Sequence, residues 1–157
     1  MEKPRIKEII ENIESIIDIE SVNVSYILNL FLCYLKKIAV REDFIALCEP
    51  EVLLKFRENF KFIELNASDL LPEEKNKEIT ISLWRFHDSL SGQQRAIVRL
   101  LITGLVTEKD AIEYSQYPEY VTGDLLALVV SCFMELNISY AEEFEVFSKE
   151  YILPNKC

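Results

Sequence analysis

The run from residue 22 to 40 narrows the options for this chain more than any other feature. Val24, Tyr26, Ile27, Leu28, Leu30, Phe31, Leu32, Cys33, Leu35 and Ile38 cover nearly every side of a helix. A helix without a polar face is buried on all sides or set in lipid. A membrane span needs about 20 apolar residues with few charges. Here Asn23, Ser25 and Asn29 interrupt the run, and Lys36 and Lys37 end it. The expected product is therefore a central core helix, closed by lysines where the macrodipole is negative.

The rest of the chain supplies helices to surround it. Ile6, Ile9, Ile10, Ile13, Ile16 and Ile17 follow helical spacing and predict an amphipathic helix over residues 4–18. Residues 41–65 read as one or two short helices, with Pro50 at a first helical position, where a missing N–H costs nothing. Pro72-Glu73-Glu74 opens a segment reaching residue 90. Within it Ile79 to Leu83 alternates like a strand, while Ile79, Leu83, Phe86 and Leu90 fit helical spacing. Helix is the expectation, with a minor β element near 79–86 as the alternative.

Ser91-Gly92-Gln93-Gln94 and Ser139-Tyr140-Ala141-Glu142 read as capping boxes, and Thr107-Glu108-Lys109-Asp110 as a weaker one. Gly104 is the expected stop of the helix that the first of these opens. Leu125, Leu128, Val129, Cys132, Phe133 and Leu136 predict a second core helix. With only three glycines and five prolines, a turn-rich sandwich is disfavoured. The expected fold is mainly all-α: one domain over residues 1–157, built from about seven or eight helices.

A domain of this length buries roughly 70% of its unfolded surface and needs neither metal nor disulfide. Cys33, Cys48, Cys132 and Cys157 form no C-x-x-C pair. Cys33 and Cys132 lie in apolar runs, where a free thiol acts as a small hydrophobe. The charged start, Met1-Glu2-Lys3-Pro4-Arg5, carries no signal-peptide core. The expectation is a cytoplasmic protein without disulfides.

The formal charge is −10, which argues against binding nucleic acid or an anionic membrane and permits a basic protein partner, while serving equally to keep a protein in solution. The charge is uneven. Residues 106–157 hold ten acids and three bases. Between Lys109 and Lys149 there is no base and there are eight acids: Asp110, Glu113, Glu119, Asp124, Glu135, Glu142, Glu143 and Glu145.

Little in the sequence suggests chemistry. The single histidine, His87, has only Asp88 nearby, which a helix would point elsewhere; it is expected to be structural. No metal-ligand spacing and no Gly-rich phosphate loop occurs, so no catalytic residue, metal or cofactor is assigned. Glu73-Glu74 and Glu142-Glu143 are paired carboxylates, but each pair sits in a first helical turn, where acids are favoured anyway. The distinctive segment is Glu113-Tyr114-Ser115-Gln116-Tyr117-Pro118-Glu119-Tyr120-Val121-Thr122-Gly123-Asp124. Tyrosines offer contact area at low entropic cost, and acids among them select a cationic partner; the alternative is a loop whose tyrosines tuck into the domain's own core.

Size, acidity, helical build, the stretch Leu90-Ser91-Gly92-Gln93-Gln94-Arg95-Ala96-Ile97 and the acidic tyrosine segment together resemble the small acidic immunity proteins of bacterial contact-dependent or polymorphic toxin systems. That resemblance implies a protein-binding inhibitor that covers the basic active-site cleft of a cognate toxin domain, a nuclease being one such class. The surface assigned to it is Glu113, Tyr114, Tyr117, Glu119, Tyr120 and Asp124, with Glu142, Glu143 and Glu145 as second choice. A different reading resembles the viral Bcl-2-like regulators, which hold an amphipathic helix in a groove. Residues 22–40 would be their central helix, but their Asn-Trp-Gly-Arg signature is missing and Trp84-Arg85 is a poor substitute. An enzyme of unrecognised type is the third reading.

Overall fold

The computed structural model describes residues 2–19, 21–115 and 120–151, with residues 2–4 as backbone only. These residues form nine helices and no strand: α1 (Glu2–Glu14), α2 (Val24–Ala39), α3 (Glu42–Leu47), α4 (Pro50–Ala67), α5 (Glu73–Asp88), α6 (Gly92–Gly104), α7 (Glu108–Tyr114), α8 (Val121–Leu136) and α9 (Ile138–Glu150). The fold is an all-α bundle, as expected, with the six-residue α3 set apart from α4. The alternating stretch 79–86 lies inside α5. Helical period decided there, because Asn76, Ile79, Leu83 and His87 share the buried stripe while Ile81 faces out.

α2 sits at the centre, as its apolar surface requires. It packs against α3, α4, α6, α7, α8 and α9, and buries Ile27, Leu30, Phe31, Leu35 and Ile38 completely. Asn23 caps its start by accepting from the Tyr26 N–H at 2.9 Å, and Lys36 and Lys37 occupy its last turn. α8 is the second core helix and touches α1, α2, α6, α7 and α9. Where α2, α8 and α9 meet, Tyr34 lies 5.0 Å from Phe133 and 5.4 Å from Phe144, ring centre to ring centre. The buried Tyr34 hydroxyl donates to the Tyr140 carbonyl at 2.9 Å and lies 3.1 Å from Glu143 Oε2. A phenol in such a place needs that partner, since an unpaired buried hydroxyl is costly.

Several caps differ from expectation. Ser91 makes no side-chain cap; Gln94 instead reaches across to accept from the Glu49 N–H at 2.9 Å and donate to the Leu47 carbonyl at 2.8 Å. It thereby fixes the α3–α4 corner. Ser139 does not cap α9 either: Asn137 does, accepting from the Ser139 N–H at 2.9 Å, which leaves Glu142 free to bind Arg5. Thr107, the weaker candidate, forms the complete reciprocal box with Asp110.

Gly104 is the last residue of α6. Its missing side chain lets α6 lie close to α4, because a Cβ there would stand 2.6 Å from Ile63 Cγ2. Just beyond it, two asparagines absorb carbonyls that a helix end leaves unpaired. Asn66 donates to the Gly104 and Val106 carbonyls at 3.0 and 2.9 Å, and buried Asn76 to Leu105 at 2.9 Å. These bonds set the turn between α6 and α7.

Cys48 and Cys132 are free thiols, and burial pushes each up to about 11. Cys33 corrects the expectation of a free thiol: it is disulfide-bonded. No helix among the described residues is long and apolar enough to cross a membrane.

Candidate functional site

The eight acids between Lys109 and Lys149 do not share one environment. Four are matched by cations, three of which come from earlier in the chain. Glu135 takes Arg99 of α6 at 3.0 Å and Glu142 takes Arg5 of α1 at 3.0 Å. Glu143 takes Arg41, which also binds Asp43 at 2.7 Å. Glu145, buried, takes Lys149 at 3.3 Å and a hydrogen bond from Asn12 at 3.1 Å. The second-choice acids Glu142, Glu143 and Glu145 are thus spent on holding α9 to the rest of the bundle.

Asp110, Glu113 and Asp124 have no ion pair among the described residues. Asp110 is engaged in its cap with Thr107, and Asp124 Oδ2 accepts from Ser115 Oγ at 2.6 Å. Lys109, their nearest base in sequence, is drawn instead to Glu73 at 3.6 Å. The same stretch carries two prominent aromatic side chains, Tyr114 at 81% exposure and Tyr120 at 57%. Tyr117 and Glu119 lie outside the described residues. Of the six first-choice residues, the structure therefore brings Glu113, Tyr114, Tyr120 and Asp124 onto the end of α7 and the start of α8.

Beside them lies a cleft of about 490 Å³ bounded by α5, α6, α7 and α8, within the ~300–1,000 Å³ span of small-ligand sites. Its floor is apolar: Ile102 and Leu105 from α6 and its end, Val121, Leu125 and Leu128 from α8. Trp84, at 42% exposure, and Tyr114 line it. Its charged members are Arg99, Asp110 and Asp124. The α6–α7 turn that Asn66 and Asn76 fix supplies Leu105 and Val106 to this wall.

The cleft itself, and Trp84 as part of its wall, escaped the sequence reading. The available signal was the helical wheel of α5: Trp84 stands off the stripe formed by Ile79, Leu83 and His87, so a bulky aromatic was placed where the core does not need it.

His87 is buried and touches more than expected. Asp88 does reach it, with Oδ1 3.1 Å from Nδ1, and Arg99 Nη2 lies 3.3 Å from Nε2. A helix neighbour would ordinarily diverge, but Asp88 is the last residue of α5 and its side chain folds back. Arginine only donates, so Nε2 accepts and Nδ1 carries the proton given to Asp88. The ring packs edge-on against Trp84 at 5.0 Å. None of these neighbours is a serine, threonine or cysteine that the imidazole could activate. The arrangement instead fixes Arg99, which spans His87 and Glu135. Among the described residues no group of three or more His, Cys, Asp or Glu side chains is placed to hold a metal ion.

No family model, no curated protein and no solved structure matches this chain.

Proposed function

We propose that this protein is a binding inhibitor of the immunity type, which neutralises a basic toxin domain, such as a nuclease, by covering its active site. One observation carries the reading. Ion pairing removes Glu135, Glu142, Glu143 and Glu145 from the acidic stretch and leaves Asp110, Glu113 and Asp124 without an ion pair among the described residues, in the stretch that carries the exposed Tyr114 and Tyr120. Unpaired acids speed encounter with a positive surface, and tyrosines anchor the complex once formed.

Capture of partners by the tagged protein, repeated across a salt series, tests the reading. A basic protein released as salt rises is expected. Its affinity should fall at least tenfold, about 1.4 kcal/mol, when Tyr114→Ala and Tyr120→Ala are combined. Glu142→Gln should leave it within a factor of about two, because that acid already serves Arg5. A partner indifferent to salt and held through an amphipathic helix would sink the proposal and favour the groove-binding alternative, for which the apolar cleft is the supporting observation.

A further inference from the structure

Resting on the binding reading above, we infer that the cleft between α5, α6, α7 and α8 is the anchor pocket of the interface, and that it receives an arginine side chain of the basic partner. The floor and the mouth ask for different chemistry at the two ends of one occupant. Ile102, Leu105, Leu125 and Leu128 present an apolar surface suited to an aliphatic stem. Trp84 and Tyr114 add ring faces on which a guanidinium stacks.

The charges at the cleft decide the sign of the head group. Asp110 from α7 and Asp124 from α8 both line it. Each spends Oδ2 within the protein, on the Thr107 N–H and on Ser115 Oγ respectively. Oδ1 of each has no hydrogen bond among the described residues, so each retains an acceptor for a planar, multi-donor cation. Thr80 of α5 and Thr103 of α6 are neutral. The opposing charge from α6, Arg99, is already held by both oxygens of Glu135 at 3.1 and 3.0 Å. The cleft is therefore net negative above an apolar base. A neutral aliphatic side chain would leave both carboxylates without a counter-charge, and an acidic one would be repelled.

The chain's single tryptophan is Trp84, so its emission reports on occupancy directly. The probes are N-acetyl-arginine methylamide and its uncharged isostere, N-acetyl-citrulline methylamide, titrated into the intact protein at low salt. Saturable change of Trp84 emission by the arginine probe is expected, with the citrulline probe at least about tenfold weaker. Asp124→Asn should bring the two probes to within about threefold of each other, while Glu142→Gln should preserve the difference. Circular dichroism would confirm that both variants fold. Equal responses to the two probes, absence of saturation, or a folded Asp124→Asn that keeps the preference would each overturn the inference. The two claims fail separately. An unresponsive cleft in a protein that still captures a basic partner salt-dependently removes the anchor and leaves the inhibitor. A cleft selective for arginine in a protein that captures no basic partner does the reverse.

Discussion

A methyl group at residue 104 would arrive where Ile63 already is. Its nearest contact is Ile63 Cγ2 at 2.6 Å, with two further Ile63 atoms at 3.0 Å. Ile63 is buried and β-branched, so it has little freedom to turn aside. Gly104→Ala therefore sets overpacking of about 1–3 kcal/mol against a helix-propensity gain of up to about 1 kcal/mol. Net destabilisation on the order of 1 kcal/mol is expected in urea unfolding. In an Ile63→Ala background the same change should become neutral or stabilising, because the obstructing atoms are gone. Single residues were legible in the sequence where burial alone fixed their role, as with Ile9, Ile13 and Leu30. They were not legible where a polar side chain had several suitors. Gln94 fits a local cap three residues from Ser91, yet its partners, Leu47 and Glu49, come from a part of the chain that spacing cannot connect to it. Trp84 was readable only as an oddity, since the cleft it lines is assembled from four helices.

Helix α9 is fastened to α2 and α3 by one guanidinium. Arg41 binds Asp43 and Glu143, Tyr140 donates to Asp43 Oδ2 at 2.9 Å, and Tyr34 leans on Glu143. The Arg41 hydrogen bonds, ahead of the Tyr140 bond, hold Asp43 down at about 2, below its ordinary 3.8; the same guanidinium holds Glu143 below 4.5. Carboxylates depressed in the folded state contribute stability that is complete above their unfolded values and lost as pH falls through the folded ones. Arg41→Met should lower the melting temperature near neutrality. The gap between variant and parent should then close as pH falls from about 4.5 towards about 2, a course that thermal melts at successive pH values would follow. A gap that stayed constant over that interval would mean the guanidinium acts through its packing alone. At this scale the sequence was informative about helices and poor at their ends. Apolar period predicted α2, α8 and the helical outcome at 79–86, because burial acts on every turn. Caps depend on one or two bonds, and Asn137 could compete with Ser139 for α9 without disturbing any pattern.

Across the whole molecule, the acid-rich final third finds counter-ions in the first two. Arg5, Arg41 and Arg99 neutralise Glu142, Glu143 and Glu135. The uneven charge along the sequence therefore becomes a local patch around α7 and the start of α8, which no tally along the chain reveals. The core is continuous from α1 to α9, so distant parts should report the same unfolding event. Ile13→Ala, in a fully buried position on α1, is expected to cost about 2–5 kcal/mol. Trp84 emission from α5 and far-UV circular dichroism should shift by the same amount. Separate transitions would show that α1 melts on its own. The position of α1 also bears on how the chain is made. Its isoleucine face closes against α8 and α9, which are synthesised last of the nine helices. On a translating ribosome, then, α1 emerges before the other eight described helices and waits longest for its native contacts, and throughout that interval Ile9 and Ile13 stay open to chaperones or to neighbouring nascent chains.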